Sequence, residues 1–322
     1  MGKKIFLIHF LLLRDLVNQK MSRICILHIG ATKTGTTTIQ HSLDCNRKIL
    51  RSAGYQMLPN KLRKGNSDYL LALSHNKNKL NQETQDIYSK FFTKKNKSNI
   101  ILTSELFSVI GANDRDFFQR IFNFLSSFDF KIYVILFVRN QKDWILSDYI
   151  QDVKGGGIYS LEKYIQISLE NEPEKYDLYK LISNLKNSGV NLTINPYLRD
   201  IRKKWKAEMC FYNSLPYFQL PLQKLVKKIK DQNTLRPSRR AIDEIITFNK
   251  VYRSNFNKDI NFSKSLKQSF IEVVNALAEI HASQEPLKLS NNLENQIEKF
   301  YSNGNNELCN EFKALKKVLI FD

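Results

Sequence analysis

The stretch HIGATKTGTTTIQ, residues 28–40, decides how the chain is read. Ahead of it, Ile24 to Ile29 is a compact apolar run that ends at Gly30, the pattern of a buried strand with a turn behind it. After it, IQHSLDCNRKIL places its apolar residues at helical spacing. The unit is therefore strand, glycine loop, helix. Gly30 and Gly35 stand in G-x-x-x-x-G spacing, so successive backbone N–H groups backed by a helix N-terminus form a cradle for an anion. Lys33 lies inside the loop, and Thr34, Thr36, Thr37 and Thr38 offer hydroxyl donors.

The rest of the chain supplies an α/β context. Tyr55–Leu58, Asn99–Thr103, Lys131–Val138 and Val190–Ile194 read as further strands, the last as an edge strand. Helical periodicity covers 115–127, 141–154, 160–170 and 176–188, with two polar helices over 67–95. Gly155-Gly156-Gly157 stops the helix that starts at 141. Strands alternating with helices imply right-handed crossovers and a mainly parallel sheet, a three-layer α/β/α arrangement. Ligands of such sheets bind beyond the carboxyl ends of the strands. The glycine loop, Ser104-Glu105 and Arg139 all fall there. From about residue 200 onward the pattern is basic amphipathic helix, around 217–230, 238–256, 264–283 and 289–317.

Charge poses the question of a partner. The 322 residues hold 50 Lys+Arg against 31 Asp+Glu, a net charge of +19 that points to nucleic acid, a membrane surface or a small multiply charged ligand. Hydrophobic residues at 42% exclude a disordered tail or a collagen-like fibre. Cys25, Cys45, Cys210 and Cys309 are too dispersed for a disulfide framework or a structural zinc site, which favours a reducing compartment and gives no reason to expect a metal. Residues 1–20 carry a net +3 around IFLIHFLLL, too short to span a membrane. Three readings compete for them: an over-long start, which is favoured, a peripheral or signal-anchor helix, and a cleaved signal peptide without its small-x-small site. Residues 21–322 then make a single domain, with an α/β core over 21–198 and a helical portion over 199–322.

A Walker-type nucleotide loop would place its lysine directly after the second glycine, but residue 36 is Thr. No Asp follows an apolar strand where a magnesium-holding carboxylate belongs. The loop suits phosphate binding and is poorly built for magnesium-dependent phosphoryl transfer. With its lysine displaced inward, it resembles the 5′-phosphosulfate loop of the sulfotransferases that use PAPS (3′-phosphoadenosine 5′-phosphosulfate). A second motif resembles theirs as well. In FVRNQKDWILSDYIQ a strand ends in Arg139, and Ser147 follows eight residues later on a helix, the pattern of their 3′-phosphate clamp. Together with S-E-x-F at Ser104–Phe107, the wording is closest to the bacterial, carbohydrate-type branch. The resemblance is dense over about residues 23–155 and thin to about 256.

The resemblance implies a P-loop NTPase-like fold with a helical C-terminal portion that faces the acceptor. It implies PAPS as co-substrate with PAP as product, and a glycan or other hydroxyl acceptor, such as a surface polysaccharide or glycolipid. No specific nucleic-acid partner is expected, since no reading motif is present. The expected location is the cytoplasm or the inner face of the membrane, with residues 1–20 as a route to peripheral association. Lys33 to Thr38, Arg139 and Ser147 would hold the donor, and Arg236, in a basic loop after Asn233-Thr234, would contact the nucleotide. Lys33 would also stabilise the leaving phosphate. Glu105 is the first candidate for general base, and His75 the second.

Each residue also has a bland reading. Arg139 is then a strand-end salt-bridge partner, Ser147 a helix-surface residue, Glu105 the first-turn acid of a helix capped by Thr103 or Ser104, and Arg236 the solvated start of a basic helix. His28 reads as a satisfied core histidine, His41 as a helix-surface residue, Trp144 as packing and Gln151 as a contact to the acceptor. Two other classes of function compete: a P-loop kinase or nucleotide-hydrolysing enzyme, and a non-catalytic nucleic-acid or membrane-surface binder.

Overall fold

A computed structural model describes residues 23–58, 89, 91–93, 98–197, 206–215, 224–225, 236–255, 264–281 and 283–319. Its centre is a five-stranded sheet: β1 (Arg23–Gly30), β2 (Tyr55–Met57), β3 (Asn99–Ser104), β4 (Phe130–Val138) and β5 (Asn191–Pro196). The order across the sheet is β2-β3-β1-β4-β5, and every pairing is parallel. β1 lies between β3 and β4, with Ile29 opposite Ser104 and Gly30 opposite Phe137. The segments that leave Gly30, Ser104 and Val138 therefore start side by side on one edge of the sheet. The expected edge strand forms as β5, one residue later in start and two in end than its apolar pattern suggests.

Alternation along β1 separates two cores. Cys25, Leu27 and Ile29 face a large apolar cluster with Val134 and Leu136. Ile24 and Ile26 face a smaller one with Ile101, Ile135 and Phe137. The helix after the glycine loop, α1 (Thr36–Cys45), covers the smaller side with α2 (Arg47–Ser52) through Ile39, Leu43 and Leu50. On the large side pack α3 (Leu106–Asn113), α4 (Phe117–Ser126), α5 (Gln141–Lys154), α6 (Leu161–Asn171) and α7 (Leu178–Asn187). α8 (Lys206–Asn213) returns to the smaller side with Phe211 and Tyr212.

The C-terminal helices α9 (Arg239–Asn255), α10 (Lys264–Ile280) and α11 (Asn291–Glu311), followed by the short α12 (Lys316–Leu319), bury Ile242, Val274, Leu293 and Ile297 in the same cluster as the strands. Polar contacts fix α11 against α5. Gln141 and Asn305 exchange amide hydrogen bonds at 2.8 and 3.2 Å, and Lys142 Nζ meets Glu294 at 3.2 Å and Glu298 at 2.5 Å. No helix among the described residues is long and apolar enough to cross a membrane. The expected helices over 67–95 lie almost wholly, and that over 217–230 largely, outside the described residues, as do residues 1–20 and His75.

Candidate functional site

The loop between β1 and α1 is shaped by two left-handed residues, Lys33 at φ 68° and Gly35 at φ 78°. Glycine adopts that region freely, whereas lysine enters it only when its surroundings hold it there. Gly35 has a second constraint: a Cβ there would lie 3.3 Å from the Tyr197 ring. At Gly30 the limit is steric alone, because a Cβ would stand 2.0 Å from Thr36 Oγ1. Glycine at both positions lets Thr36 and Tyr197 pack directly against the loop backbone.

Three braces hold the loop. Thr34 folds it on itself: its N–H and its hydroxyl both donate to the Ala31 carbonyl, at 3.2 and 2.6 Å. Arg139, only 4% exposed at the end of β4, donates from Nη1 to the Lys33 carbonyl at 3.0 Å. Trp144 on α5 donates from Nε1 to Thr32 Oγ1 at 2.6 Å. Thr34, expected to turn its hydroxyl to a ligand, uses it inside the loop instead. Trp144, expected only to pack, is indeed buried but also grips the loop. Thr36 behaves differently. Its Oγ1 is buried and finds no hydrogen-bond partner among the described residues. A hydroxyl in that state costs free energy unless something else takes its hydrogen bond.

Charge gathers at the same edge. Burial pulls the Lys33 ammonium below its ordinary pKa, and Arg139 and Lys175 add to that, while Asp148 and Glu105 oppose it. Lys154 is also lowered, by burial and then by Lys33. Cations held this close together favour an incoming anion.

Glu105 is exposed directly after β3, at the N-cap position of α3, yet its side chain makes no capping bond. Ser104 Oγ accepts from the Leu106 N–H instead, at 3.2 Å. Ser147 is half-buried on the second turn of α5, whose N-cap is Asn140. Thr37 is exposed and Thr38 half-buried on the first turn of α1. Arg236 pairs with Asp143 on the first turn of α5 at 3.5 Å. Gln151 is exposed.

His28 departs from its expectation. It is fully buried and its Nδ1 meets Thr103 Oγ1 at 2.8 Å, but Nε2 has no partner among the described residues. It is half satisfied.

The pattern did not mark Asp148 or Lys175. Asp148, 8% exposed, accepts from Tyr176 at 3.2 Å and from Thr32 at 3.4 Å, and pairs with Lys175 at 3.0 Å. One signal was available: Asp148 stands four residues after Trp144, on the same helical face.

The parallel sheet and the braced glycine loop define an α/β protein of the phosphate-loop type. No protein-family model matches the chain, and no curated protein matches it. Among solved structures it is similar to a sulfotransferase from Alicyclobacillus acidocaldarius, at 12% identity over 94% of this chain and 98% of that one, with a TM-score of 0.44. It is also similar to a structure of the PezAT chromosomal toxin-antitoxin system of Streptococcus pneumoniae, at 13% identity over 88% and 98%, with a TM-score of 0.32. Both scores are too low for the likeness to speak to activity.

Proposed function

We propose that this chain is a PAPS-dependent sulfotransferase that moves a sulfuryl group to a hydroxyl of a carbohydrate acceptor. The observation that carries the reading is the bond from Arg139 Nη1 to the Lys33 carbonyl, 3.0 Å across 106 residues of sequence. It joins the two motifs that a PAPS site needs, a loop with its lysine inside and a strand ending in arginine. The residues present fit such a donor. Gly30 lets Thr36 pack against the loop backbone, Thr36 Oγ1 needs a partner, and the surrounding cations supply positive potential.

In this reading, Lys33 and the loop N–H groups bind the phosphosulfate end, and Arg139 with Ser147 holds the 3′-phosphate. Sulfuryl transfer forms a bond from the acceptor oxygen to sulfur and breaks the bond from sulfur to the phosphate oxygen. Glu105 takes the acceptor's proton, and Lys33 balances the charge that grows on the leaving oxygen. Orientation and preorganised charge do the rest. Arg236, paired with Asp143, borders the helix that bears Ser147 and contributes to nucleotide contact from there.

The test is a thermal-shift titration with PAP, with ATP and magnesium, and with mixed DNA, followed by PAPS turnover on cell-envelope glycans. PAP alone should raise the melting temperature without magnesium, by an amount that grows with its concentration. Glu105→Gln should cut kcat by roughly 100-fold or more and leave PAP binding intact. Stabilisation by ATP with magnesium but not by PAP overturns the reading, and unchanged turnover in Glu105→Gln removes Glu105 from the base role.

A further inference from the structure

Pro173–Tyr176 is a single 3-10 turn between α6 and α7, outside both sequence motifs. It is anchored from three sides. Tyr301 on α11 donates to the Pro173 carbonyl at 3.0 Å. The Tyr176 ring is fully buried and meets Trp144 edge-on, with centroids 5.1 Å apart. The Tyr176 hydroxyl donates to Asp148 at 3.2 Å. So fixed, the turn presents Lys175, whose Nζ lies 3.0 Å from Asp148 Oδ2 and 5.0 Å from the centre of the Tyr176 ring.

Asp148 itself reaches the phosphate loop. Trp144 Nε1 donates to Thr32 Oγ1, which turns the Thr32 hydroxyl proton toward the Asp148 carboxylate at 3.4 Å. Thr32 is the residue before Lys33, so Asp148 bridges the loop and the turn.

We propose that Lys175 is a ligand-binding cation of this site, held in place by Asp148 so that it faces the same phosphate- or sulfate-type oxyanion as the loop. An ammonium has three protons. One is directed to Asp148, which leaves two for a ligand, and the Lys175 side chain is 23% exposed, open enough to be reached. The Asp148 pair fixes a long side chain in advance, so less conformational freedom is lost when the anion arrives. Burial disfavours the Lys175 ammonium, but Asp148 and Tyr164 outweigh it and its pKa is raised. Lys175 therefore stays charged while its neighbour Lys33 is pulled down, partly by Lys175 itself. This inference rests on the donor reading above for the identity of the ligand but not for its chemistry.

The experiment is calorimetric titration of PAP, and separately of inorganic pyrophosphate, into wild type, Lys175→Met, Lys175→Arg and the paired variant Asp148→Asn/Lys175→Met. Lys175→Met should weaken both ligands by roughly tenfold or more and flatten the salt dependence of binding. Lys175→Arg should recover most of the loss. If Lys175→Met fails to fold, the paired variant, which removes both charges, is compared with Asp148→Asn alone, so that the difference reads Lys175 against the same loop. A folded variant without Lys175 that binds both ligands as wild type does, with the same salt dependence, overturns the proposal. If wild type binds pyrophosphate but not PAP, the donor reading falls, and the pyrophosphate series still decides the role of Lys175.

Discussion

The two faces of the sheet share five strands and differ in what they bury. On the large side, β1 contributes Cys25, Leu27 and Ile29 to an extensive apolar cluster, and the polar bonds there run between helices, as from Gln141 to Asn305. On the small side, the same strand buries His28, and α1 brings Ser42, whose hydroxyl lies 3.0 Å from that of Tyr212 on α8. Asn46 closes the group by donating to the Ser42 carbonyl at 2.9 Å. The large face buries its polar groups between helices, whereas the small face buries one on the central strand itself, His28. The small face also carries the helix that begins at the glycine loop. Packing alone tolerates small sliding, whereas a hydrogen bond fixes the position of a helix start more tightly.

Acid should break this contrast most strongly. Burial lowers the His28 pKa to about 3, so the folded chain keeps His28 neutral while the unfolded chain takes up a proton near the ordinary value of 6.5. A depressed pKa contributes stability that is present above 6.5 and lost as pH falls toward 3. At about 1.4 kcal/mol per pH unit, the loss reaches at most about 5 kcal/mol. Denaturation series across this range should show that slope, and His28→Leu should flatten it.

Apolar strand positions of the large face should respond to lost volume and not to pH. Leu27→Ala should destabilise by about 3 kcal/mol, equally at every pH in the same series. Dependence on pH there would blur the distinction between the faces. The smallest effect sharpens it: Tyr212→Phe removes the hydroxyl that meets Ser42 and Asn46 and should cost about 1 kcal/mol. A loss much larger would mean that the hydroxyls on the small face act as one network.

Much of this was legible in the sequence because it is local. The strand, loop and helix around residues 28–40 follow from periodicity and glycine spacing, and α5 has the bounds 141–154 that its pattern and the glycines after it suggest. α3 is harder: LFSVIGAN is short and apolar around most of its circumference, so it carries little helical stripe, and its Gly111 is needed where Phe118 packs. The polar partners of the site were not legible. Thr32 and Asp148 are 116 residues apart, and nothing in a spacing rule says which buried carboxylate a loop hydroxyl will meet. Arg236 likewise reads as a nucleotide contact or a basic helix start, and only the fold supplies Asp143. The orphaned nitrogen of His28 is invisible for the same reason, since sequence shows that a histidine is interior but not whether both its nitrogens are served.

The bond from Trp144 to Thr32 has an optical consequence. The chain has two tryptophans, and this one is 1% exposed with its indole N–H committed to the glycine loop. Any occupant that shifts Thr32 changes the polarity felt by a shielded fluorophore. The protein thus carries a gauge of its own occupancy, readable without a label in the colour and intensity of its emission.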